Sequence, residues 1–338
     1  MQIRKRFELL KVLLFLAAPC AAEEPAAREL CPPAVPQYAI SLRWENDAFA
    51  GRDRDYSNGM SVALAWRGEG LIGNFWKLFG ADSGRWVTGL EVGQLIMTPA
   101  DITREVPDPN DRPYSGILYG AWTTQYIRDS AFHGLKLIGG VVGPASLAEE
   151  TQRVVHQITR SDEPAGWDYQ LKDEPVVNLV YEHRRRFELL PSQDGFGIEL
   201  IPTAGAMLGN VLIQAQAGAQ LRAGFHLPDD FGTTLMRGLG NLPFPHSCRA
   251  EDRRGQSGVY LFVGGAVNLV GRNLSLDGNT FRDGPRVEKE IFFPAAEFGI
   301  SFWSRHFQGT FSYVFWGEEH KGQQGYSQFA AITATFYF

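Results

Sequence analysis

The chain ends with Gln328-Phe-Ala-Ala-Ile-Thr-Ala-Thr-Phe-Tyr-Phe338, in which alternate positions are apolar and the last residue is aromatic. Side chains of a β-strand point alternately to its two faces, so this pattern predicts a strand with one apolar face. The same alternation occurs near the other end of the chain, in Tyr38-Ala-Ile-Ser-Leu-Arg-Trp44 and Met60-Ser-Val-Ala-Leu-Ala-Trp66. Repeated alternation over segments of about ten residues is typical of a membrane β-barrel.

Similar strand-like runs recur along the whole chain. They begin near residues 86, 116, 134, 175, 195, 210, 258, 291, 307 and 326. Together with the two N-terminal runs they make about a dozen, each near the roughly 9–11 residues that a tilted membrane strand requires. We therefore predict an all-β fold, a transmembrane antiparallel β-barrel of about 12 strands with a short helix in an extracellular loop.

The N-terminus has the layout of a cleavable signal peptide. Basic residues at positions 4–6 precede an apolar stretch over residues 9–18, and two alanines follow at positions 21 and 22. The sequence predicts a signal peptide (residues 1–22), a Pro- and Ala-rich leader (residues 23–36) and one outer-membrane β-barrel domain (residues 37–338).

Composition narrows the class of protein further. The mean hydropathy of −0.19 is too polar for a helical membrane protein, and it fits strands that have one face toward a lumen. The net charge of −6 excludes a generic basic surface for nucleic acid. The mature chain keeps Cys31 and Cys248, which could form one disulfide in an oxidising compartment, a pairing that the sequence leaves open.

Polar stretches of unequal length separate the predicted strands. Bacterial barrels usually have tight periplasmic turns and longer extracellular loops. On that basis we expect three long stretches to be extracellular: Ala100–Pro113, Pro228–Gly255 and Gly271–Pro285.

One stretch, roughly Ser146–Ile158, has helical rather than strand periodicity. Ser146 stands three residues before Glu149, the spacing of a capping box. The side expected to pack is formed by Leu147, Thr151, Val154, Val155 and Ile158. Glu149, Gln152 and His156 project together from another face. A surface helix with a solvated polar stripe explains this spacing as well as a functional site does.

A second polar group lies at two neighbouring strand ends. Asn46 and Asp47 follow the first predicted strand, and Ser57 precedes the second. Their oxygen and amide groups suit Ca²⁺, which takes several oxygen ligands including backbone carbonyls. An ordinary hairpin is the alternative, because Asn, Asp and Gly are also turn residues.

Two arginines are candidates for contacts with an anion. Arg112 stands between an acid and a proline, which leaves a lumen salt bridge and an anion contact as alternatives. Arg104, in the preceding loop, could meet a phosphate or simply be solvated. The chain contains no Gly-x-Ser-x-Gly, His-Glu-x-x-His, Walker or Cys-x-x-Cys motif. Of its seven histidines, His156 alone has acidic and amide groups at supporting positions, which makes it the candidate for chemistry.

Seven short motifs occur in order in the first half of the chain. They are Glu45-Asn-Asp-Ala-Phe49, Asp55-Tyr-Ser-Asn-Gly59, Gly93-Gln-Leu-Ile-Met-Thr-Pro99, Asp111-Arg-Pro-Tyr-Ser-Gly116, Gly140-Val-Val-Gly-Pro144, Gln152-Arg-Val-Val-His156 and Gly166-Trp-Asp-Tyr-Gln170. In this combination they resemble the motifs of the LpxR-type lipid A deacylases, outer-membrane enzymes of Gram-negative bacteria. The resemblance runs from about residue 38 to 175 and returns in the C-terminal strands, whereas residues 186–290 contribute no motif.

This resemblance implies a Ca²⁺-dependent esterase that removes the 3′-linked acyloxyacyl chain of lipid A. It places the active site between the barrel wall and the helix near Ser146–Ile158. The corresponding residues are His156 and Gln152 on the helix, Asn46 and Asp47 for the Asn-Asp pair, Ser57 for the hydroxyl residue and Arg104 for the basic loop residue. The carboxylate that follows the histidine corresponds to Asp162 or Glu163.

The resemblance also implies a division of roles. His156 would take a proton from water, and Ca²⁺ near Asp47 and Ser57 would polarise the ester carbonyl. Asn46 would donate to the oxyanion or orient the metal ligands, and Gln152 completes the catalytic set. Arg104 and Arg112 would contact a substrate phosphate.

The expected partner is lipid A or lipopolysaccharide in the outer leaflet of the bacterial outer membrane, contacted by a membrane-embedded monomer. Two alternatives stay open. One is a passive or structural outer-membrane barrel with a degenerate site, and the other is a hydrolase of another acylated lipid.

Overall fold

The computed structural model describes residues 36–47, 55–70, 84–191, 195–236, 238–240 and 257–338. Within these ranges the chain forms one antiparallel sheet of 13 strand segments. The segments are β1 (Tyr38–Asn46), β2 (Asp55–Arg67), β3 (Arg85–Thr98), β4 (Ser115–Arg128), β5 (Ala131–Val142), β6 (Glu174–Arg185), β7 (Phe187–Leu190), β8 (Phe196–Gly209), β9 (Leu212–Phe225), β10 (Ser257–Asn273), β11 (Phe292–Ser304), β12 (Phe307–Trp316) and β13 (Ser327–Tyr337). The α-helices in this part of the chain are α1 (Ala148–Thr159) and α2 (Leu274–Asp277).

The sheet closes on itself. β1 pairs with the C-terminal strand β13, with Ala39 opposite Tyr337 and Trp44 opposite Ile332. β6 pairs with β5 on one side and with β8 on the other. β7 continues β6 after Arg186 and pairs with β8 in the same register, so the two segments are one strand of the barrel. The described residues therefore form a closed barrel of twelve antiparallel strands, which confirms the predicted fold.

Alternation of the side chains gives the barrel two different faces. In β10, Val259, Leu261 and Val263 are exposed on the outside, whereas Tyr260 and Phe262 are buried inside. The outer face presents apolar side chains to the lipid, as strands of an outer-membrane barrel must. Among the described residues, no helix is both long enough and apolar enough to cross a bilayer.

The two ends of the barrel differ in their connections. Tight turns at residues 129–130 and 305–306 lie at the end that also holds both ends of the closed sheet. The opposite end carries the connections over residues 99–114, 143–173 and 274–291, and α1 lies in the second of these. Of the three two-residue turns in the described residues, two lie at the first end and one, at residues 210–211, lies at the opposite end. Because outer-membrane barrels usually have short periplasmic turns, the first end is periplasmic and α1 is extracellular.

The expectation that Pro228–Gly255 is extracellular is wrong. This connection starts at the periplasmic end of β9, and its described part enters the lumen. There the Asp230 carboxylate pairs with the Arg222 guanidinium, and the Arg43 guanidinium donates to the Gly238 carbonyl at 2.6 Å. The polar residues of this connection therefore pair with charged side chains that point into the lumen from the wall. A long polar connection can for this reason occur on the periplasmic side as well.

Several predictions fall outside the described residues. They are the signal peptide (residues 1–22), the leader up to residue 35, and the two cysteines Cys31 and Cys248.

Candidate active site

Helix α1 lies against the outer surface of the barrel wall, over β3 and β4. Outward-facing Val92 of β3 is 61% exposed, whereas Ile96, four residues nearer the rim, is fully buried beneath the helix region. The contact is close because Gly116 of β4 has no side chain. A Cβ atom added there would lie 2.1 Å from Cβ of Ala148 in the first turn of α1.

The start of this helix differs from the sequence prediction. Ser146 belongs to a short 3₁₀ turn, Pro144–Ser146, and Leu147 occupies the N-cap position with a left-handed backbone (φ 58°) and no side-chain cap. The predicted capping box is therefore wrong. The buried Ser146 instead contacts the wall, where its carbonyl accepts a hydrogen bond from Nε2 of Gln94 at 2.7 Å.

The predicted packing face of the helix is also wrong. The residues of α1 buried against the wall are Ala148, Gln152 and His156. Leu147, Val154 and Ile158 are 54%, 55% and 77% exposed. Ala148 packs in a small apolar cluster with Ile96 and Trp167, whereas Gln152 and His156 face a cavity whose lining residues are mostly polar. Of the predicted polar trio, Glu149 stays partly exposed and pairs with Arg153 at 2.7 Å.

A cavity of about 660 Å³ lies between α1 and the wall. Its lining comprises Trp44, Asn46, Asp47, Ser57, Asn58, Ile96, Ala100, Asp101, Ile102, Thr103, Gln152, Val155, His156, Thr159, Arg160, Ser161 and Asp162. Five predicted site residues therefore meet here, although they come from two strand ends and a helix more than 90 residues away: Asn46, Asp47, Ser57, Gln152 and His156.

The His156 ring is held by a main-chain group. Its Nδ1 lies 2.5 Å from the carbonyl oxygen of Asp162, and since a carbonyl only accepts, Nδ1 carries the proton. Of the two tautomers of a neutral ring, this bond selects the one whose lone pair is on Nε2, the form that a general base requires. The side chains of Asp162 and Glu163 are both exposed, and the group of Asp162 that contacts the ring is its main-chain carbonyl.

Gln152 is oriented by a residue from a later turn of the same connection. The indole N–H of Trp167 donates to Oε1 of Gln152 at 2.8 Å. An indole can only donate, so the amide must turn its Nε2 group away from Trp167. Nε2 is buried and has no hydrogen-bond partner within the described protein. An unpaired buried donor costs about 1–3 kcal/mol, which is tolerated where a ligand or water completes the bond.

The strand ends opposite the helix supply oxygen atoms. Nδ2 of Asn46 donates to the Ser57 carbonyl at 2.9 Å and ties β1 to β2. The Ser57 hydroxyl lies 2.5 Å from that of Thr98 on β3, and Asp47 is buried beside them in the cavity lining. The described residues contain no group of three or more His, Cys, Asp or Glu placed to hold a metal. Hydroxyl, carbonyl and single-carboxylate oxygens nevertheless fit Ca²⁺, which accepts all three donor types.

The two predicted arginines do not line the cavity. Arg112 is buried inside the barrel, where its guanidinium donates to Glu319 at 2.6 Å and to the Asp55 carbonyl at 3.3 Å. It forms the lumen salt bridge, and the alternative of a substrate contact is wrong. Arg104 is half-exposed one residue beyond the lining, with its guanidinium 3.7 Å from Asp108. Such a surface pair contributes little and leaves the side chain able to turn.

The structure adds residues that the sequence reasoning missed. Asp101 lines the cavity and accepts hydrogen bonds from the hydroxyl and backbone N–H of Thr103, which lower the pKa of its carboxyl. Arg160, which ends α1 with a left-handed backbone, lines the cavity as well. Asp-x-Thr is a local turn pattern that could have indicated Asp101. Nothing in the sequence marks Arg160.

Comparisons with known proteins bear on the family and the fold of this chain. The family described as "Outer membrane protein LpxR" matches residues 9–338. The solved structure of LpxR from Salmonella typhimurium covers 89% of this chain and 100% of its own, with 16% sequence identity and a TM-score of 0.71. The β-domain of the Bordetella autotransporter Brka covers 89% of this chain and 98% of its own, at 11% identity and a TM-score of 0.44. No curated protein matches the chain.

The family match spans nearly the whole chain, and the Salmonella structure shares the barrel fold. The chain is therefore a protein of the bacterial outer membrane, and it belongs to the LpxR family.

Proposed function

We propose that this barrel is an esterase that removes the 3′-linked acyloxyacyl chain of lipid A with a water molecule activated by His156. One observation carries the proposal: the cavity that holds His156 opens on the outside of the barrel wall, where lipid acyl esters lie. A lipid substrate reaches such a site from the membrane plane, whereas a soluble substrate has no reason to meet it. Membership of a lipid A deacylase family supports the choice of substrate.

The residues of the cavity divide the work of ester hydrolysis. Nε2 of His156 takes a proton from water as the oxygen attacks the ester carbonyl, and the imidazolium then protonates the leaving alkoxide. The unpaired Nε2 group of Gln152 is placed to donate to the oxyanion that develops on the carbonyl. Asn46 orients the strand ends through its bond to Ser57, which favours the orienting role over the oxyanion role.

Asp47 and Ser57 are the residues that would hold Ca²⁺. A bound Ca²⁺ supplies positive charge that stabilises the negative oxygen of the ester in the transition state. Thr98 is positioned by its bond to the Ser57 hydroxyl to fix the direction of that ligand.

Basic residues near the cavity are candidates to bind the phosphates of lipid A. Arg104 keeps the role expected from the sequence, since its pair with Asp108 is half-exposed. Arg160 takes the role first given to Arg112, because it lines the cavity. A guanidinium binds phosphate with two parallel hydrogen bonds.

The main test is mass spectrometry of lipid A after incubation with the purified, folded barrel. We expect loss of the 3′-acyloxyacyl mass with Ca²⁺, no loss with EGTA, and no loss with Asp47→Asn at a Ca²⁺ concentration that saturates the unmodified protein. Unchanged lipid A alongside hydrolysis of another acylated lipid would replace the substrate. Unchanged lipids of every kind, in a barrel that binds no Ca²⁺, would favour the passive barrel.

Asp162→Ala is expected to keep the rate of deacylation within about threefold of the unmodified enzyme, because the hydrogen bond to His156 comes from the main chain. The measurement is the initial rate on lipid A in detergent micelles, with Glu163→Ala as the matched control. A loss of a hundredfold or more in Asp162→Ala alone would assign the role to the carboxylate.

Trp167→Phe is expected to lower kcat by up to about tenfold with little change in KM, since it removes the hydrogen bond from the indole that orients the Gln152 amide. The comparison is Trp122→Phe, a tryptophan on the wall outside the cavity lining. A change in KM alone would mean that Trp167 shapes substrate binding instead.

A further inference from the structure

The surface of α1 divides into three lengthwise faces. The buried face, formed by Ala148, Gln152 and His156, closes the cavity. A second face is polar and exposed, and contains Glu150, Arg153 and Gln157. The third face is apolar and exposed, and contains Leu147, Val154 and Ile158. If the whole exposed surface of α1 faced water, polar residues would be expected on both of its exposed faces.

The apolar face continues a surface that already contacts lipid. On β3 the outward row runs through Leu90 and Val92, which are exposed, to Gln94 and Ile96, which α1 and its entry turn cover. The helix thus takes the place of lipid on the upper part of this row. Its first turn packs on Gly116, the residue opposite Ile96 in the sheet, and its entry turn accepts a hydrogen bond from Gln94, two residues nearer the membrane centre.

We propose that Leu147, Val154 and Ile158 insert among the acyl chains of the outer leaflet, while the polar face of α1 faces water. A helix with one apolar and one charged exposed side lies in the membrane interface with its apolar side about 5–10 Å deep. The occupant of this surface is the lipid bilayer itself, because the adjoining wall is embedded in it. The contact holds the cavity mouth at the depth of the acyl chains, and it does not depend on catalysis.

The test measures depth residue by residue. Single cysteines replace Leu147 or Ile158 on the apolar face and Arg153 or Gln157 on the polar face, in a chain in which Cys31 and Cys248 are serine. Each is labelled with the environment-sensitive fluorophore NBD, and the barrel is reconstituted in phosphatidylcholine vesicles. A nitroxide on the lipid acyl chain then quenches labels that lie in the hydrocarbon region. Val92→Cys serves as the lipid-facing standard.

We expect labels at positions 147 and 158 to be quenched several-fold more than labels at 153 and 157, and to approach the standard at position 92. Equal quenching on both faces of the helix would overturn the proposal. It would also be overturned if the labels at 147 and 158 were no dimmer with nitroxide lipid than in vesicles without it. The readout needs no substrate. A protein that lacks lipid A deacylase activity can therefore still pass this test, and an active enzyme can fail it.

Discussion

His156→Ala is expected to lower the rate of lipid A deacylation by about 10²–10⁴-fold, the usual contribution of a positioned general base. The bond from Nδ1–H to the Asp162 carbonyl leaves the lone pair of the ring on Nε2. Alanine removes this basic nitrogen, so water loses its proton acceptor. The rate is measured by mass spectrometry of lipid A at saturating Ca²⁺. His156→Gln, which keeps a donor to the Asp162 carbonyl but has no basic nitrogen, is expected to be equally inactive.

The matched control is Gln157→Ala, the neighbouring residue on the exposed face of the same helix. It tests for damage to α1 and is expected to keep the full rate. Folding of every variant is checked by the heat-dependent mobility of the barrel in SDS gels. If His156→Ala keeps more than a tenth of the rate while it stays folded, His156 is not the base and the proposed mechanism fails.

Gly116→Val is expected to lower the rate by about 100-fold or more while the barrel stays folded. Even the first carbon of a side chain at this position would lie 2.1 Å from Cβ of Ala148 and 2.3 Å from the Ser146 hydroxyl, so α1 must move away from the wall. His156 and Gln152 move with it, whereas Asp47 and Ser57 stay on the strands. A displacement of about 1 Å between reacting groups can cost a factor of 10².

Gly120→Val is the matched control, since a Cβ at this outward position of the same strand meets its nearest atom at 4.0 Å. It is expected to keep the rate. Gly116→Ala should be partly rescued by Ala148→Gly, which removes the nearer of the two clashes. A Gly116→Val barrel with full activity would show that the cavity between helix and wall is not the active site.

Much of the fold could be predicted because each strand of a membrane barrel has a local pattern of alternating side chains. In β13 the alternation that begins at Gln328 can be recognised without knowledge of the neighbouring strands. Twelve such strands pair every edge only when the sheet closes into a barrel. The helix was predictable for the same local reason. Its position on the outer wall was not, because Gly116 and Ala148 show their complementarity only when the two segments are brought together.

The site divides in the same way. The predicted residues that line the cavity were identified through short motifs: His156, Gln152, Asn46, Asp47 and Ser57. For Arg112 the sequence offered both a lumen salt bridge and an anion contact, and it could not decide between them because the partner, Glu319, lies more than 200 residues away. The packing face of α1 was misjudged because amphipathic analysis assumes that the inside of a contact is apolar, whereas this helix covers a polar cavity.

The connection after β9 has a consequence for the cell that carries this protein. Asp230 and Thr234 of this connection bond across the lumen to Arg222 and Glu182, and the carbonyl of Gly240 accepts from Lys136 at 3.2 Å. A bacterium relies on its outer membrane to exclude antibiotics and detergents, and each open barrel weakens that exclusion. Because the described part of this connection enters the lumen, we expect each copy of this barrel to weaken that exclusion less than an open barrel does.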